Sequence, residues 1–554
     1  GMFVNTLPLK NNISSEESFE RLLKKVKENL LNAYTHQNYP FDALVNELNI
    51  TRDNSRTPLF DTMFIYQNDI FSNVEFNGES GKYCIPESHT SKYDLSVETI
   101  LIDDEFKVSF EYWTRLFDEE FISNLANHYI NIISSVVENK DIEISNISIL
   151  SKKEKEQILY KFNDTKMEYD KNKTIIQLFE EQVKKTPNNT AIVFEDKSIT
   201  YKELNEKSNK LARYLNEKGI GNNQFVGIIL PRSIELIIAI IGTLKSGACY
   251  IPIDPTYPKK RIDYMLENSQ AKLLIISKEL YNNTEFKNKV CVDSEEITHQ
   301  SYQNLKSINT PEDMSYIIYT SGSTGLPKGV ILKQKSLSNL CAYLNKKVEF
   351  LQPGCEYKNI ASVTTASFDI FIFETLICLQ KGLKIILANE EEQRIPKLLD
   401  RLISKNNVQI IQMTPSRMQL FIDNIDDMPN LTDLKYVTLA GEPLPSQLRD
   451  KLVSLGVKKV YNGYGPSETT VFSTFTDVTT CKEINIGVPL GNTQMYILDK
   501  NLKIVPIGVA GELYIAGDGV GKGYLNREDI TKERYINNPF IENSIMYKTG
   551  DICK

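Results

Sequence analysis

YIIYTSGSTGLPKGVIL, residues Tyr316 to Leu332, is the stretch on which the reading of this chain turns. Tyr316 to Tyr319 form the apolar run of a buried strand. Thr320, Ser321, Gly322, Ser323, Thr324 and Gly325 follow, and Lys328 and Gly329 close the run. Glycines at 322 and 325 can take positive φ, so successive backbone N–H groups can converge on one anion. Four hydroxyls and the mobile ammonium of Lys328 add donors. The loop reads either as a phosphate grip or as a flexible surface turn, since Ser/Thr/Gly turns are common. The buried strand before it favours the grip, because ligands gather at the carboxyl ends of such strands. A Walker loop needs GxxxxGK[ST]. Here Lys328 comes three residues after Gly325, with Pro327 between.

Outward from this stretch, continuous apolar strands alternate with helices. Thr200 and Glu203 cap a helix carrying Leu204, Leu211 and Leu215 and ended by Gly219. FVGIIL (Phe225–Leu230) and ACYIPID (Ala248–Asp254) read as strands, with a buried helix at ELIIAIIGTL (Glu235–Leu244) between them. That pattern predicts a mostly parallel sheet covered on both faces. Ile486 to Gly517 shifts to short strands and Gly-rich turns, a small β subdomain. The amino-terminal part reads as α+β. It has a strand-like run at Met2–Leu7, a capping box at Ser14–Glu17, and a helix bearing Phe19, Leu22, Leu23, Val26 and Leu30. Two antiparallel strands around a turn at Asp103–Asp104 follow, then a helix with Phe121, Leu125, Tyr129, Ile132, Ile133 and Val136 on one face. Asn139 to Lys166 is polar with apolar anchors, a linker that packs on something.

The 554 residues are 41% hydrophobic and 25% charged, with a formal net charge of -8. That balance argues against a protein that coats nucleic acid. Eight scattered Cys without a CxxC pair and four isolated His argue against a zinc site or a disulfide framework, and fit a reducing cytoplasm. No secretory leader is visible at the amino terminus, and the apolar windows are too short to span a bilayer.

YTSGSTGLPKG resembles the phosphate loop of the adenylate-forming superfamily, which includes acyl-CoA synthetases, luciferases and the adenylation domains of nonribosomal peptide synthetases. Further motifs follow in the family's order. TYKELN (Thr200–Asn205) and LKSGACYIPIDP (Leu244–Pro255) match early ones. SFDIF (Ser367–Phe371), NGYGPSE (Asn462–Glu468), GELYIAGDGVGKGYLN (Gly511–Asn526) and YKTGD (Tyr547–Asp551) match later ones. The resemblance covers about Lys173 to Lys554. It implies an α/β fold: a large adenylation core of two α/β subdomains plus a small β subdomain.

The implied reaction is attack of a substrate carboxylate on the α-phosphorus of ATP, giving aminoacyl-AMP and pyrophosphate. No general base is needed, because the nucleophile is already ionised. Thr320, Lys328 and Glu468 are the catalytic candidates. Thr320, Ser321, Gly322, Ser323, Thr324, Gly325 and Lys328 would hold phosphates. Asn462 and Tyr464 would meet adenine, Asp551 the ribose hydroxyls, and Glu468 an Mg²⁺ ion, a hard cation suited to oxygen ligands. Asp369 lies among Phe368, Ile370, Phe371 and Phe373. A buried carboxylate there needs a cation, and the resemblance supplies the α-ammonium of an amino acid; the residue reads equally as a helix N-cap. Asn462–Gly463 by itself reads as a hairpin turn.

The resemblance places Asp369, Ile370, Phe373, Gln412, Thr438, Ala440, Gly463, Val471 and Phe472 around the substrate, most of them equally plausible as core residues. With no charge there besides Asp369, the expected substrate is a small neutral amino acid, glycine or alanine first. The other partner is a peptidyl carrier domain, which alone would bear phosphopantetheine. No nucleic acid or membrane partner is expected.

MFVNTLPLK (Met2–Lys10), HQNYPFDALVNEL (His36–Leu48) and RDNSRTPLFDTMF (Arg52–Phe64) resemble late condensation-domain motifs. The catalytic HHxxxDG motif of that family is absent, so this α+β condensation-domain remnant is not expected to form peptide bonds. The expected division is 1–138 condensation fragment, 139–172 linker and 173–554 adenylation core. The family continues past YKTGD into a smaller subdomain bearing a catalytic lysine. The expectation for these residues is substrate binding with slow adenylation. An acyl- or aryl-acid ligase and a nucleotide-binding interaction module are the rival readings.

Overall fold

The computed structural model describes residues 5–50, 53, 57–67, 75–76, 79–80, 90–102, 105–282, 284–321, 325–424 and 433–554. The chain forms two compact units. One comprises Gly1–Ile158 with Pro506–Val509 and Lys554; the other comprises Leu159–Val505 and Ala510–Cys553.

The larger unit is built on two sheets of the predicted kind. In the first, strands run in the order Lys289–Val290, Leu273–Ile276, Phe225–Ile229, Cys249–Pro252, Met314–Thr320, Lys328–Lys333 and Gly523–Tyr524. The first five are parallel and the last two are added antiparallel. In the second, the order is Thr474–Asp477, Lys459–Tyr464, Tyr436–Ala440, Ile410–Met413, Asn359–Ser362, Lys384–Leu387, Thr190–Phe194 and Lys197–Thr200. Its six inner strands are parallel and its two edges antiparallel.

The helices obey the sequence. Tyr201–Glu217 opens on a complete capping box between Thr200 and Glu203 and buries Leu204, Leu211 and Leu215. Ile234–Lys245 is buried at every residue but Glu235, which is why its sequence is apolar on nearly every face. The small β subdomain is a four-stranded antiparallel sheet of Thr493–Leu498, Gly511–Gly517, Ile545–Cys553 and Tyr535–Asn537. The end of the polar linker does pack on it: Asn163 donates to the Met495 carbonyl at 3.1 Å and Thr165 to that of Thr493 at 2.7 Å.

In the smaller unit Thr62–Gln67 runs parallel to Leu95–Ile102, which pairs antiparallel with Glu105–Tyr112 in the predicted register. The turn at Asp103–Asp104 lies outside the described residues. Helices Phe19–Thr35 and Glu119–Glu138 match the predicted periodicity. Two readings need correction. Ser14–Glu17 is not the capping box: Glu17 does accept the Ser14 N–H, but the N-cap is Ser18, whose hydroxyl accepts from Arg21. The strand expected at Met2–Leu7 is not formed over residues 5–7, which pair with no strand; the rest lies outside the described residues.

Candidate active site

The opening stretch folds as a hairpin whose two arms are strands of the first sheet. Thr320 ends one arm and Lys328 begins the other, and the two residues are paired across it. Gly325 sits at φ +82, the left-handed region that only glycine enters without cost. Ser321 is exposed; Gly322, Ser323 and Thr324 lie outside the described residues. Lys328 holds its Nζ 4.7 Å from the ring centroid of Tyr524, a cation–π contact. The Tyr524 hydroxyl donates to Glu468 Oε1 at 2.6 Å and lies 3.3 Å from that of Tyr547. One tyrosine therefore ties the base of the loop to the predicted metal-binding carboxylate. Tyr524 and Tyr547 stand inside the motifs GELYIAGDGVGKGYLN and YKTGD, yet nothing in their spacing marks them.

Glu468 lies in a short 3₁₀ turn, Ser467–Thr469. Thr470 and Val471 follow at φ +68 and +61. Consecutive left-handed residues, both of them β-branched, cost of order 1–3 kcal/mol each. The turn is held by the Thr470 hydroxyl on the Gly519 carbonyl at 2.7 Å and by the Ser473 N–H on that of Tyr464 at 2.7 Å. Such strain brings Val471 and Phe472 back over the strand Lys459–Tyr464. A Cβ on Gly463 would meet the Phe472 ring at 2.7 Å, so glycine is required there by close approach. Asn462–Gly463 is accordingly not a hairpin turn but the interior of that strand. The Asn462 amide donates to the Asn485 carbonyl at 2.9 Å. The Tyr464 hydroxyl donates to Asp551 Oδ2 at 2.6 Å.

Asp369 occupies the N-cap position of the short helix Ile370–Ile372, but its side chain makes no cap hydrogen bond. It is buried, and its Oδ2 has no hydrogen-bond partner among the described residues. Burial is the main cause that lifts its carboxyl to about 6; the Ser467 hydroxyl and the backbone of Ile370 and Val471 pull it down, and Glu468 pushes it up. One turn on, Phe373 stacks edge-on against Phe472 at 5.3 Å. Phe472 covers Gly463, Gly463 pairs with Ala440 across adjacent strands, and Gln412 pairs with Thr438. The nine positions predicted around the substrate thus lie on neighbouring strands and turns; Ile370 is half-buried and the rest are buried.

Two groups that the sequence did not mark lie close by. Glu374 is fully buried and accepts from the hydroxyls of Ser362 (2.8 Å) and Thr364 (2.6 Å) and from the N–H groups of Val363 and Thr364 (both 3.0 Å). Arg232 donates to the carbonyls of Ser362, Thr364 and Ala388 and holds its charge beside that carboxylate.

With this geometry in place, comparison with known proteins is informative. Residues 179–525 match the AMP-binding enzyme family and residues 1–159 the condensation domain. The chain is 40% identical over its whole length to gramicidin S synthase 2 of Brevibacillus brevis and 38% identical to bacitracin synthase 3 of Bacillus licheniformis. It spans 12% and 9% of the length of those relatives. Among solved structures, a four-domain nonribosomal peptide synthetase bound to AMP and glycine superposes with a TM-score of 0.85 at 25% identity, covering 98% of this chain and 41% of that one.

Proposed function

The chain belongs to the AMP-binding enzyme family, as a nonribosomal peptide synthetase adenylation domain preceded by a condensation region, and from that premise we propose that it activates a small neutral amino acid, glycine or alanine first, as the aminoacyl-AMP. The observation that carries this reading is Asp369: a buried carboxylate with one oxygen left without a partner. Such a group is costly unless a cation meets it, and an α-ammonium is the cation an amino acid brings. An acyl- or aryl-acid ligase has no use for that vacancy.

In this proposal Asp369 anchors the ammonium and so aims the substrate carboxylate at the α-phosphorus of ATP. Thr320, Ser321 and Lys328 hold the phosphates, together with Gly322, Ser323, Thr324 and Gly325 of the loop. Tyr464 and Asn462 take adenine, and Asp551 takes the ribose hydroxyls. The protein supplies positioning and charge stabilisation. Glu468 fits Mg²⁺: it is an oxygen ligand held by the Tyr524 hydroxyl and beside a second carboxylate, Asp369. Such an ion would neutralise phosphate charge when bound.

The division at about residues 138 and 172, a carrier-domain partner bearing phosphopantetheine, a condensation region without peptide-bond chemistry and a reducing cytoplasm belong to the same proposal. So does slow adenylation by these 554 residues on their own. Calorimetric titration with ATP, then with each proteinogenic amino acid at saturating ATP, tests it. Binding of one or a few small neutral amino acids, lost in Asp369→Asn, is expected; nucleotide binding with no amino-acid response would leave an interaction module. ATP–pyrophosphate exchange on the same protein is expected to be slow and to rise when a relative's closing subdomain is joined.

A further inference from the structure

We propose that the amino acid taken by this site carries an uncharged hydrogen-bonding side chain, a hydroxyl or a carboxamide, read by Gln412 and Thr438. The inference rests on the reading above for the identity of the pocket and, within small neutral amino acids, replaces its glycine-or-alanine preference with a side chain that brings a donor. Gln412 and Thr438 are register partners on adjacent parallel strands, so their side chains leave the same face of the sheet. That face is the one that packs with Phe373 and Phe472. Ile410, Tyr436 and Ala440, two residues away along the same strands and so on the same face, share an apolar cluster with Phe373 and Phe472. Ile411, Met413, Val437 and Leu439 pack on the other side.

Thr438 is fully buried, and its Oγ1 has no hydrogen-bond partner. Valine would fill the same space without leaving a hydroxyl unsatisfied. A ligand side chain that donates to or accepts from this hydroxyl would satisfy it.

Gln412 carries the argument further through its protons. Its amide lies 3.2 Å from Thr364 Oγ1, with Oε1 placed nearest, and has no other hydrogen-bond partner among the described residues. Thr364 owns a single hydroxyl proton. Glu374 Oε1 lies 2.6 Å from that hydroxyl, and its Oε2 is filled by three further donors, so the carboxylate takes the proton. Toward Gln412 the Thr364 oxygen is then an acceptor. An amide's O and N are distinguished by the network around them, and this network calls for the Gln412 N–H on Thr364. The Gln412 carbonyl is left facing the ligand beside the Thr438 hydroxyl. Glu374 is thus a positioning residue, two residues removed from the substrate. A site with a free acceptor and a free hydroxyl selects a side chain that brings a donor.

The test is calorimetry on the full 554-residue chain with nonhydrolysable aminoacyl sulfamoyl-adenosines. Threonyl is set against its isostere valyl, asparaginyl against leucyl, and seryl against alanyl and glycyl, with AMP as reference. The polar member of at least one pair is expected to bind at least tenfold tighter than its apolar partner. Thr438→Val should bring that ratio toward one, and Thr438→Ser, which keeps the hydroxyl, should hold it. Gln412→Leu provides the same collapse should Thr438→Val not fold. Apolar or glycyl probes that equal or beat the polar ones throughout overturn the inference and leave amino-acid activation standing. AMP binding with no gain from any aminoacyl group breaks the activation reading, and the inference falls with it.

Discussion

Two stretches only five residues apart each bury a carboxylate, and the structure treats them in opposite ways. At Glu374 the side chain receives four donors, two hydroxyls and two N–H groups, with a guanidinium nearby. At Asp369 one oxygen receives nothing. Both are acidic residues in an apolar run, and both are buried. Burial therefore does not separate a structural carboxylate from a binding one; what separates them is whether the fold has already spent its donors there. A saturated carboxylate holds strands and loops together. In the proposed function, the one at Asp369 takes the ammonium of the substrate.

The strongest way to break this contrast is to remove each group in turn. Glu374→Ala strands the hydroxyls of Ser362 and Thr364 and leaves Arg232 without its counter-charge. It is expected to lower the unfolding free energy by about 3–5 kcal/mol, the cost of breaking a buried ionic cluster from one side. Asp369→Asn removes a charge that burial disfavours, and it should leave stability unchanged or raise it. Chemical denaturation of both variants checks the pair; equal destabilisation would erase the contrast.

Acidity sharpens it. Burial raises the Asp369 carboxyl from 3.8 to about 6. The folded chain therefore holds this proton at pH values where the unfolded chain has released it. Ionising Asp369 costs about 3 kcal/mol of stability above pH 6, and that cost is relieved as pH falls from 6 toward 3.8. Amino-acid binding runs the other way, since the ammonium needs the ionised carboxylate. Affinity for the amino acid should drop as pH falls through 6, while AMP affinity does not follow it. Both trends should vanish in Asp369→Asn, as read by denaturation and calorimetry across pH 4.5–8.

Tyr524 extends the comparison to a carboxylate of the intermediate kind. Glu468 has one oxygen held by the Tyr524 hydroxyl, whose ring also lies under Lys328. Tyr524→Phe deletes the hydrogen bond and keeps the ring. The loss of a hydrogen bond to a charged group, about 1.5–3 kcal/mol, should appear as a higher Mg²⁺ requirement for ATP binding. Tyr524→Leu should add a loss of affinity for ATP that magnesium does not restore. Equal effects of the two variants at all magnesium concentrations would show that the hydroxyl does not orient Glu468.

The parallel sheets, the capped helix at Tyr201 and the apolar helix at Ile234 were legible, because each is dictated by local periodicity and capping. The positions around Asp369 were legible only as members of motifs in order. What spacing could not carry was pairing at a distance. Glu374 looks like any acidic residue until Thr364 and Arg232 are folded onto it. Tyr524 looks like one more aromatic until Lys328 lies over it. Asn462–Gly463 misread as a turn for the same reason: the close approach of Phe472 that demands glycine comes from the strained turn at Thr470 and Val471. The smaller unit shows the limit of periodicity. The helix Phe19–Thr35 follows its predicted pattern and yet buries none of its residues, with Leu23 55% exposed. An amphipathic repeat announces a helix, but it does not say what covers the apolar face.

The smallest effect in the series concerns Asp551, a carboxylate whose partner is on loan. Its Oδ2 accepts the Tyr464 hydroxyl at 2.6 Å, yet the residue itself is exposed. Burial first, and then this bond to Asp551, raise the Tyr464 phenol, so the phenol stays protonated and remains a donor. A ribose that hydrogen-bonds to Asp551 competes with that donor, whereas adenine packing uses only the tyrosine ring. Tyr464→Phe keeps the ring and frees the carboxylate. AMP should then bind a few-fold tighter, corresponding to the 0.5–1.5 kcal/mol net worth of about one hydrogen bond. Adenine itself, lacking the ribose, should show no change. A matched gain for adenine would place the effect on the ring, and a loss for AMP would show that the hydroxyl and the ribose share Asp551 rather than compete for it.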